Sequence, residues 1–426
     1  ASVAATEAAS TSRSLAQTAL GQLADPKLAT LLAAEAVRIH PTDEAVSALR
    51  QALSTPIAPA RSLQGTNSPL NIIEYRADGR QWLLWNEHQV QLVEPASGRI
   101  LHTLINAPDQ ILQAVYSADG RSVFTAETEG RIRIWNAERG TALRDLHHPG
   151  AGGILSSRNG SRLLSLASGQ AVLWDPATGT SVAELDCRDI GYFDRQVAAF
   201  SPDGSRLALC TRLDPVIHDT SNGRPVLTLL GHTAPVRSVE FSPDGQWMVT
   251  ASEDGTLRKW RTVDGANIGI WKHDTEVSTA QVSPDGRWVA ASDRNRVLTI
   301  RDSSTGQVVA RIELLPAPEW PLLFEFSPNS ECLAVARYDS APVELRETRT
   351  GILLGHFRED SDNAERRSLQ FSPDGRGVAV GNYGSPARVY PCEVCGDAED
   401  LLAVAGRRVQ RVLSADERAR FIPTRP

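Results

Sequence analysis

The chain has 426 residues and a mass of 46.1 kDa, which allows two or three ordinary domains or one large repeat array. Apolar residues make up 41% and charged residues 22%, proportions that exclude wholesale disorder and collagen-like structure. The formal net charge of -7 argues against a general nucleic-acid binder, and no apolar run approaches the roughly 18 residues of a membrane-spanning helix. We therefore expect neither nucleic acid nor membrane as a partner.

The N-terminal region, residues 12–54, has the apolar spacing of helices. Asp25 is suited to cap a helix that has Pro26 at its first position, and Pro41-Thr42 starts a further helix. We interpret residues 1–57 as a helical linker or stalk. These helices either flank the domain that follows or act as a stalk that joins it to an upstream domain.

A tetrapeptide then recurs along most of the chain. Ser-Pro-Asp-Gly occurs at 201–204, 242–245, 283–286 and 372–375, and looser copies occur at 76–79, 117–120, 157–160 and 327–330. The copies follow one another every 40–45 residues. This period is typical of repeat architectures in which each unit is one supersecondary structure.

Each repeat has the pattern of four short strands. In the fifth copy an alternating apolar run ends at Phe241, and a Pro-Asp-Gly turn leads to a second run, 247–252. An Asp254-Gly255 turn and a third run, 256–260, follow, and a last short run spans 268–271. Four antiparallel strands with turns between them make one blade of a β-propeller. Eight turns predict an all-β propeller of eight four-stranded blades, with seven blades as the alternative.

The fifth repeat resembles a WD40 repeat. It reads Gly231-His232, then Phe241-Ser-Pro-Asp-Gly245, then Ser252-Glu-Asp-Gly255, then Trp260. The resemblance implies a structural tetrad, which we place at His232, Ser252, Asp254 and Trp260. Other repeats depart from this tetrad. The tryptophan position is occupied by Val93, His218, Arg301, Arg346 and Tyr390, and the histidine of the tetrad is kept only at His147, His273 and His356.

The ring needs a strand from outside the last repeat. The eighth repeat lacks an outer strand after Tyr390, and residues 60–64 stand where the other repeats have theirs. We expect this N-terminal strand to close the propeller, which then spans 58–391 and leaves no open sheet edge. Residues 392–426 are predicted as a short helical tail, with a helix over 399–411 and a capping box that begins at Ser414.

Both flanks of the propeller resemble regions beside the WD40 repeats of large bacterial signalling proteins. These proteins include STAND-type NTPases of the NACHT group, Ser/Thr kinases and caspase-like proteases. The resemblance implies a C-terminal sensor module in a bacterial protein whose effector domain lies upstream of Ala1.

Motifs for chemistry are missing from the sequence. It contains no phosphate-binding G-x-x-x-x-G-K-[ST], no H-E-x-x-H and no G-x-S-x-G. Inner-strand residues such as Val239, Ala280 and Leu369 are apolar or small, so they do not form a polar pocket in the central channel. We predict that the chain is not an enzyme and has no catalytic residue, metal site or cofactor.

Five cysteines form an odd, sparse set that suits the reducing cytosol, so we expect a cytoplasmic protein. Cys392-x-x-Cys395 is the one pair with metal-like spacing. Three interpretations stay open: a metal site that would need further ligands, a redox pair that staples the tail, and two thiols packed at the helix junction.

Binding is the remaining class of function. In WD40 proteins, partners contact the start of the innermost strand and the turn between the second and third strands on the top face. The candidate partner-binding residues at these positions are Arg237, Glu253, Arg294, Trp320, Asp339, Arg367 and Tyr383. Tryptophan, tyrosine and arginine are frequent interface hot spots, and the mixed charges favour a protein or peptide partner.

The preferred interpretation is a non-enzymatic sensor that binds a protein on the top face and regulates a linked upstream effector. The first alternative is a free-standing WD40 scaffold in a multiprotein complex. The second is a propeller enzyme or a binder of a small ligand.

Overall fold

The structure is a computed structural model of the whole chain. It describes residues 3–54, 61–62, 72–106, 110–187, 197–210, 213–314, 322–337, 342–357, 366–382 and 385–422.

The described residues form eight four-stranded antiparallel sheets, as the eight turns predict. Blades one to four consist of β2–β5, β6–β9, β10–β13 and β14–β17. Their strands are β2 Ile72–Tyr75, β3 Trp82–Trp85, β4 Gln89–Val93, β5 Ile100–Asn106, β6 Ile111–Tyr116, β7 Ser122–Glu127, β8 Arg131–Asn136, β9 Thr141–His147, β10 Gly153–Ser156, β11 Leu163–Ala167, β12 Gly169–Asp175, β13 Thr180–Cys187, β14 Ala198–Phe200, β15 Arg206–Leu209, β16 Val216–Asp219 and β17 Pro225–Thr228.

Blades five to seven consist of β18–β21, β22–β25 and β26–β29, and blade eight contains β30–β32. Their strands are β18 Val236–Phe241, β19 Trp247–Ser252, β20 Thr256–Arg261, β21 Asn267–Lys272, β22 Val277–Val282, β23 Trp288–Asp293, β24 Val297–Asp302, β25 Val308–Glu313, β26 Leu323–Phe326, β27 Cys332–Ala336, β28 Val343–Glu347, β29 Leu353–Phe357, β30 Arg366–Phe371, β31 Gly377–Asn382 and β32 Ser385–Pro391.

The fourth strand of blade eight comes from the other end of the chain. β1, Arg61–Ser62, pairs antiparallel with β32, with Arg61 opposite Val389 and Ser62 opposite Arg388. The first and last parts of the propeller are thus held together by backbone hydrogen bonds.

The turns after the inner strands of blades two to eight share one recurring construction, which begins with a serine. In blade five, Ser242 Oγ donates to Asp244 Oδ1 at 2.6 Å and accepts from Trp247 N at 3.1 Å. Gly245, the last residue of the turn, has φ of 69°, which suits glycine because a Cβ is disfavoured there. In blade seven, Ser330 takes this position with φ of 63°, and its hydroxyl accepts a hydrogen bond from Asp285 N at 3.1 Å.

Five α-helices flank the propeller in the described part of the chain: α1 Val3–Gly21, α2 Pro26–Ile39, α3 Asp43–Leu53, α4 Ala398–Arg408 and α5 Ala415–Phe421. Asp25 caps α2 and accepts from Leu28 N at 3.1 Å, and Thr42 caps α3. Ser414 and Glu417 form the expected capping box of α5. The tail helix ends at Arg408, earlier than the predicted Arg411.

The helices share one hydrophobic core with blades seven and eight. Leu32 and Leu49 of the N-terminal helices lie in the same buried cluster as Leu345 of blade seven, Val378 of blade eight and Leu401 of α4. The helices therefore pack on the propeller. The division into segments 1–57, 58–391 and 392–426 stays a prediction.

Candidate interaction surface

Blade five contains a continuous network of buried polar side chains. His232 Nδ1 lies 2.7 Å from Asp254 Oδ2, and His232 Nε2 lies 2.7 Å from Thr250 Oγ1. Trp260 Nε1 donates to the same Thr250 hydroxyl at 2.8 Å. Because the Asp254 carboxylate only accepts, His232 donates from Nδ1, Thr250 donates to Nε2, and every member is satisfied.

The hydroxyl of this network belongs to Thr250, which corrects the sequence prediction. Ser252 was the predicted member, but Ser252 Oγ donates to Ala234 O at 2.9 Å. Thr250 and Ser252 point to the same face of β19 because they are two residues apart. Met248 is directly opposite Trp260, so the indole reaches the nearer hydroxyl, that of Thr250.

The charge of the network follows from its burial. Burial lowers the pKa of His232 even though Asp254 accepts its hydrogen bond, so the imidazole is neutral. Burial opposes ionisation of Asp254, but hydrogen bonds from Thr256, His232 and Thr233 N outweigh it and bring the pKa of Asp254 to about 2. The network is thus a neutral histidine beside a carboxylate, and its role is structural.

Two other blades contain part of this network. Trp174 Nε1 donates to Ser165 Oγ at 2.8 Å, and that hydroxyl lies 2.7 Å from His148 Nδ1. The histidine of this blade is therefore His148 rather than the predicted His147, which ends the exposed β9. In blade two, Trp135 Nε1 donates to Thr125 Oγ1 at 3.1 Å. A hydroxyl nine or ten residues before a tryptophan is the sequence signal that marks this network.

The top face of the propeller is the end where the inner strands begin. At this end, a backbone N–H in the turn between the second and third strands donates a hydrogen bond to the carbonyl of the residue before the inner strand. Glu253 N donates to Pro235 O at 3.0 Å, Arg294 N donates to Glu276 O at 2.9 Å, and Thr128 N donates to Gln110 O at 2.9 Å. These repeated bonds fix the top loops to the sheets.

Several inner strands have a bulge at their second residue. In β18 the register shifts between Val236 and Ser238, which leaves Arg237 as the extra residue, and in β30 Arg367 has the same place. A bulge redirects the side chain of the extra residue and increases the local twist. The β-strand propensity of the residues does not predict such bulges.

Blades five and six each have an ion pair on their top face. Arg237 Nε donates to Glu253 Oε1 at 2.7 Å, and Arg294 Nη1 lies 3.1 Å from Glu276 Oε2. Each pair is at least partly exposed, so it adds little stability and stays available to a partner. The two pairs have no net charge, a pattern that favours a protein partner over a polyanion.

Of the seven predicted partner-binding residues, Arg237 and Glu253 pair with each other on blade five, while Arg294 pairs with Glu276 on blade six. The backbone of Arg367 forms the bulge of β30, and its side chain is not among those described. Trp320, Asp339 and Tyr383 lie outside the described residues.

Several inner strands also contribute polar side chains, which corrects the prediction that their residues are only apolar or small. Gln370 Oε1 accepts from Tyr75 N of the next blade at 2.8 Å, and Glu74 Oε1 accepts from Tyr116 N at 3.2 Å. Burial raises the pKa values of Glu240 and Glu325 to about 8, although each accepts a backbone hydrogen bond from the following blade. These side chains link neighbouring blades.

A cavity of about 560 Å³ lies in the channel at blades one, two, three and eight. Its wall includes Val115, Leu155 and Phe371 together with Glu74 and Gln370. In the described ranges, no cluster of three or more His, Cys, Asp or Glu side chains is placed to hold a metal ion.

Cys392 and Cys395 form a disulfide, while Cys187, Cys210 and Cys332 are free and buried. The structure thus favours the redox pair among the three interpretations of the Cys-x-x-Cys spacing. Among the helices that the structure describes, none combines the length and the apolar character that crossing a membrane requires.

Comparison with known proteins agrees with this geometry. A family model described as "WD domain, G-beta repeat" matches residues 223–261 and 266–302. The chain contains WD40 repeats. Each matched segment starts near the outer strand of one blade and ends in the third strand of the next, the same offset that places β1 in blade eight.

Solved structures show the same fold. The C-terminal WD40 domain of Sif2 superimposes with a TM-score of 0.66 at 17% identity and covers 79% of this chain and 99% of that domain. The computationally designed Ika8 protein superimposes with a TM-score of 0.62 at 18% identity, covering 78% and 98%. The chain has this propeller fold, with eight blades and with helices at both ends.

Curated relatives match over part of the chain. SIR4-interacting protein SIF2 of Saccharomyces cerevisiae is 24% identical over 172 residues, 37% of this chain and 32% of that protein. Human serine-threonine kinase receptor-associated protein is 26% identical over 226 residues, 42% and 62% of the two chains. The alignments span less than two thirds of either relative. Both names describe proteins that associate with other proteins, and both organisms are eukaryotes.

Proposed function

We propose that the chain is a non-enzymatic interaction module that binds a protein or peptide on its top face and regulates a linked effector domain in a bacterial signalling or defence protein. WD40 propellers generally bind protein partners, and the names of the two relatives fit that class. A cytoplasmic location is part of the proposal. The bacterial setting rests on the resemblance of the flanks alone.

The observation that supports the site best is the fixed, mixed-charge surface of blades five and six. Arg237 and Arg294 are presented beside Glu253 and Glu276 by loops that are hydrogen-bonded to their own sheets. Rigid presentation lowers the entropy cost of binding because few side chains and loops need to be ordered.

The helices contact the opposite end of the ring. Asp43 of α3 lies 3.7 Å from Arg287 and 3.2 Å from Arg349, two residues in bottom turns of blades six and seven. The described helices therefore leave the top of blades five and six uncovered. A partner on the top face and an effector attached through the helices would contact different ends of the propeller.

Regulation would require the partner to prefer one of two states of the effector. Binding that is equally strong in both states changes no population, however tight it is. The proposal therefore predicts that effector activity and partner affinity change together.

The binding site is tested with charge reversal. Proteins that co-purify from source cells would be quantified by mass spectrometry for the unmodified chain and for the Arg237→Glu/Arg294→Glu variant. The matched control is Arg261→Glu, since Arg261 forms an exposed ion pair with Asp264 at 2.8 Å in a bottom turn. We expect a partner that the top-face variant loses by more than about tenfold and the control retains. Equal recovery by both variants would exclude this surface.

The linked effector is tested separately by the intact mass of the native product. A mass well above 46.1 kDa would support an effector in the same chain. A mass near 46.1 kDa would favour the alternative of a free-standing scaffold subunit. The two experiments can fail independently of each other.

A further inference from the structure

The disulfide lies where three parts of the protein meet. Cys392 and Cys395 lie in the segment between β32, the last strand of the propeller, and α4 of the tail. The N-terminal helix α3 and blade seven both contact this four-residue loop through side chains, as the next hydrogen bonds show.

Three consecutive carbonyl groups accept these bonds, two within the loop and one directly after it. Arg50 of α3 donates from Nε to Val394 O at 2.9 Å and from Nη2 to Gly396 O at 3.1 Å. Between them, Cys395 O accepts from Asn329 Nδ2 of blade seven at 2.8 Å. The disulfide closes the loop that holds Val394 O and Cys395 O in these directions.

Arg50 depends on these acceptors because its side chain is only 1% exposed. Its remaining partners are Glu331 Oε2 at 2.9 Å and Glu347 Oε1 at 3.5 Å, both in blade seven. A buried guanidinium that loses hydrogen-bond acceptors is costly, because water cannot replace them without opening the junction. The contact between the helices and the propeller is thus sensitive to the shape of the cysteine loop.

We propose that Cys392 and Cys395 are a redox-active site whose disulfide holds the N-terminal helices and the tail on blades seven and eight, and whose reduction loosens them. The co-reactant is a dithiol. It transfers two electrons and two protons to the sulfurs, the bond between the two Sγ atoms breaks to give two thiols, and the dithiol closes its own disulfide.

A third thiol lies close by and does not take part. Cys332 Sγ points at Val394 O at 3.8 Å, and burial raises the pKa of Cys332 to about 12. A thiol that stays protonated is a poor nucleophile toward a disulfide, so exchange between Cys332 and the pair is suppressed. Cys392 and Cys395 therefore stay paired with each other, and the site has two defined states, the disulfide and the two thiols.

The disulfide itself is checked by counting free thiols. Air-oxidised protein, denatured in the presence of an alkylating reagent, should gain three labels, for the three free cysteines. After reduction with dithiothreitol it should gain five, the full cysteine content. Five labels without reductant would overturn the proposal.

The consequence is checked by hydrogen exchange on the full chain in both states. We expect amides of α3 and α4 to exchange at least about tenfold faster after reduction, while amides of β18–β20 in blade five stay unchanged. Equal exchange of α3 and α4 in the two states would overturn the proposal, and the blade-five amides report that the propeller is still folded.

Variants separate the redox effect from a general loss of packing. The Cys392→Ser/Cys395→Ser variant should exchange like the reduced protein with or without dithiothreitol. Cys187→Ala is the matched control, because it removes a buried free cysteine elsewhere and should keep the full response to reductant. A double-serine variant that exchanges like the oxidised protein, or a Cys187→Ala variant without a redox response, would contradict the assignment to this pair.

Discussion

Blades five and six share the same strand register but differ in their buried polar network. Met248 lies opposite Trp260 in blade five, and Val289 lies opposite Arg301 in blade six. The four network positions of blade five are occupied by His232, Thr250, Asp254 and Trp260, and those of blade six by His273, Ala291, Asn295 and Arg301. The two blades are therefore a natural comparison of a complete network with an incomplete one.

The difference is visible in unpaired atoms. Within the described residues, His273 Nε2 and Arg301 Nε are buried without a hydrogen-bond partner. Ala291 has no hydroxyl to bridge them. Burial and the charge of Arg301 lower the pKa of His273 to about 4.

Blade six nevertheless keeps four regular strands. Its apolar residues, such as Ala290, Leu298 and Ile300, are fully buried in a core that blade six shares with blade seven. The comparison teaches that turns and apolar alternation are enough to form a blade, while the polar network adds local stability and fixes side-chain positions.

The largest expected effect is the loss of the tryptophan in blade five. Trp260→Ala should reduce the free energy of unfolding by about 3–5 kcal/mol, because it leaves a cavity and removes the donor to Thr250. Arg301→Ala, the same position of blade six, should cost less than about 2 kcal/mol, because it removes a partly exposed side chain that donates from Nη1 to Gly306 O and from Nη2 to Lys272 O and leaves its Nε unpaired. Urea unfolding of both variants measures the difference, and equal losses would mean that the network adds nothing to blade five.

The next effect is a loss of stability in mild acid that comes from blade six. The pKa of His273 is about 4 in the folded protein, below its ordinary 6.5, so the unfolded chain takes up a proton first as the pH falls. The contribution of neutral His273 to the free energy of unfolding is fully present above pH 6.5 and is lost as the pH falls toward 4. We expect a loss of about 1–2 kcal/mol, reduced by partial exposure of the ring.

Thermal or urea unfolding between pH 7 and pH 4 measures this loss. His273→Gln should flatten that part of the profile, whereas His88→Gln, which changes an exposed histidine, should not. An unchanged profile in His273→Gln would show that the acid sensitivity has another origin.

The smallest effect is a gain. Ala291→Thr places a hydroxyl where blade five has Thr250, so it can bond to His273 Nε2 and Arg301 Nε. We expect stability to rise by about 0.5–1.5 kcal/mol relative to Ala291→Val, which has the same shape without the hydroxyl. If the two variants unfold at the same urea concentration, the unpaired atoms of blade six do not limit its stability.

Local signals in the sequence predicted much of this fold. Pro-Asp-Gly turns gave eight blades because Gly245 and its equivalents take a positive φ that other residues disfavour. The caps at Asp25 and Ser414 were also predictable, since a side chain reaches backbone groups two or three residues away. For the candidate site, Arg237, Glu253 and Arg294 were placed on the top face by the resemblance to WD40 repeats, and their role in binding stays a prediction.

Other features depended on residues far apart in the chain. The choice of Thr250 over Ser252 followed from which hydroxyl lies nearer the Trp260 indole across two strands. The bulge at Arg237 is a property of strand pairing and is not encoded in the type of that residue.

By itself, then, the sequence determined the repeat, the blade number and the starts of α2, α3 and α5, because each rests on contacts between near neighbours in the chain. Only the tertiary structure decided that Arg50 meets Val394 and that Cys395 accepts from Asn329. Residues more than 60 positions apart come together there through the closure of the ring and the packing of helices on blades seven and eight. No periodicity or motif within one repeat encodes such an encounter.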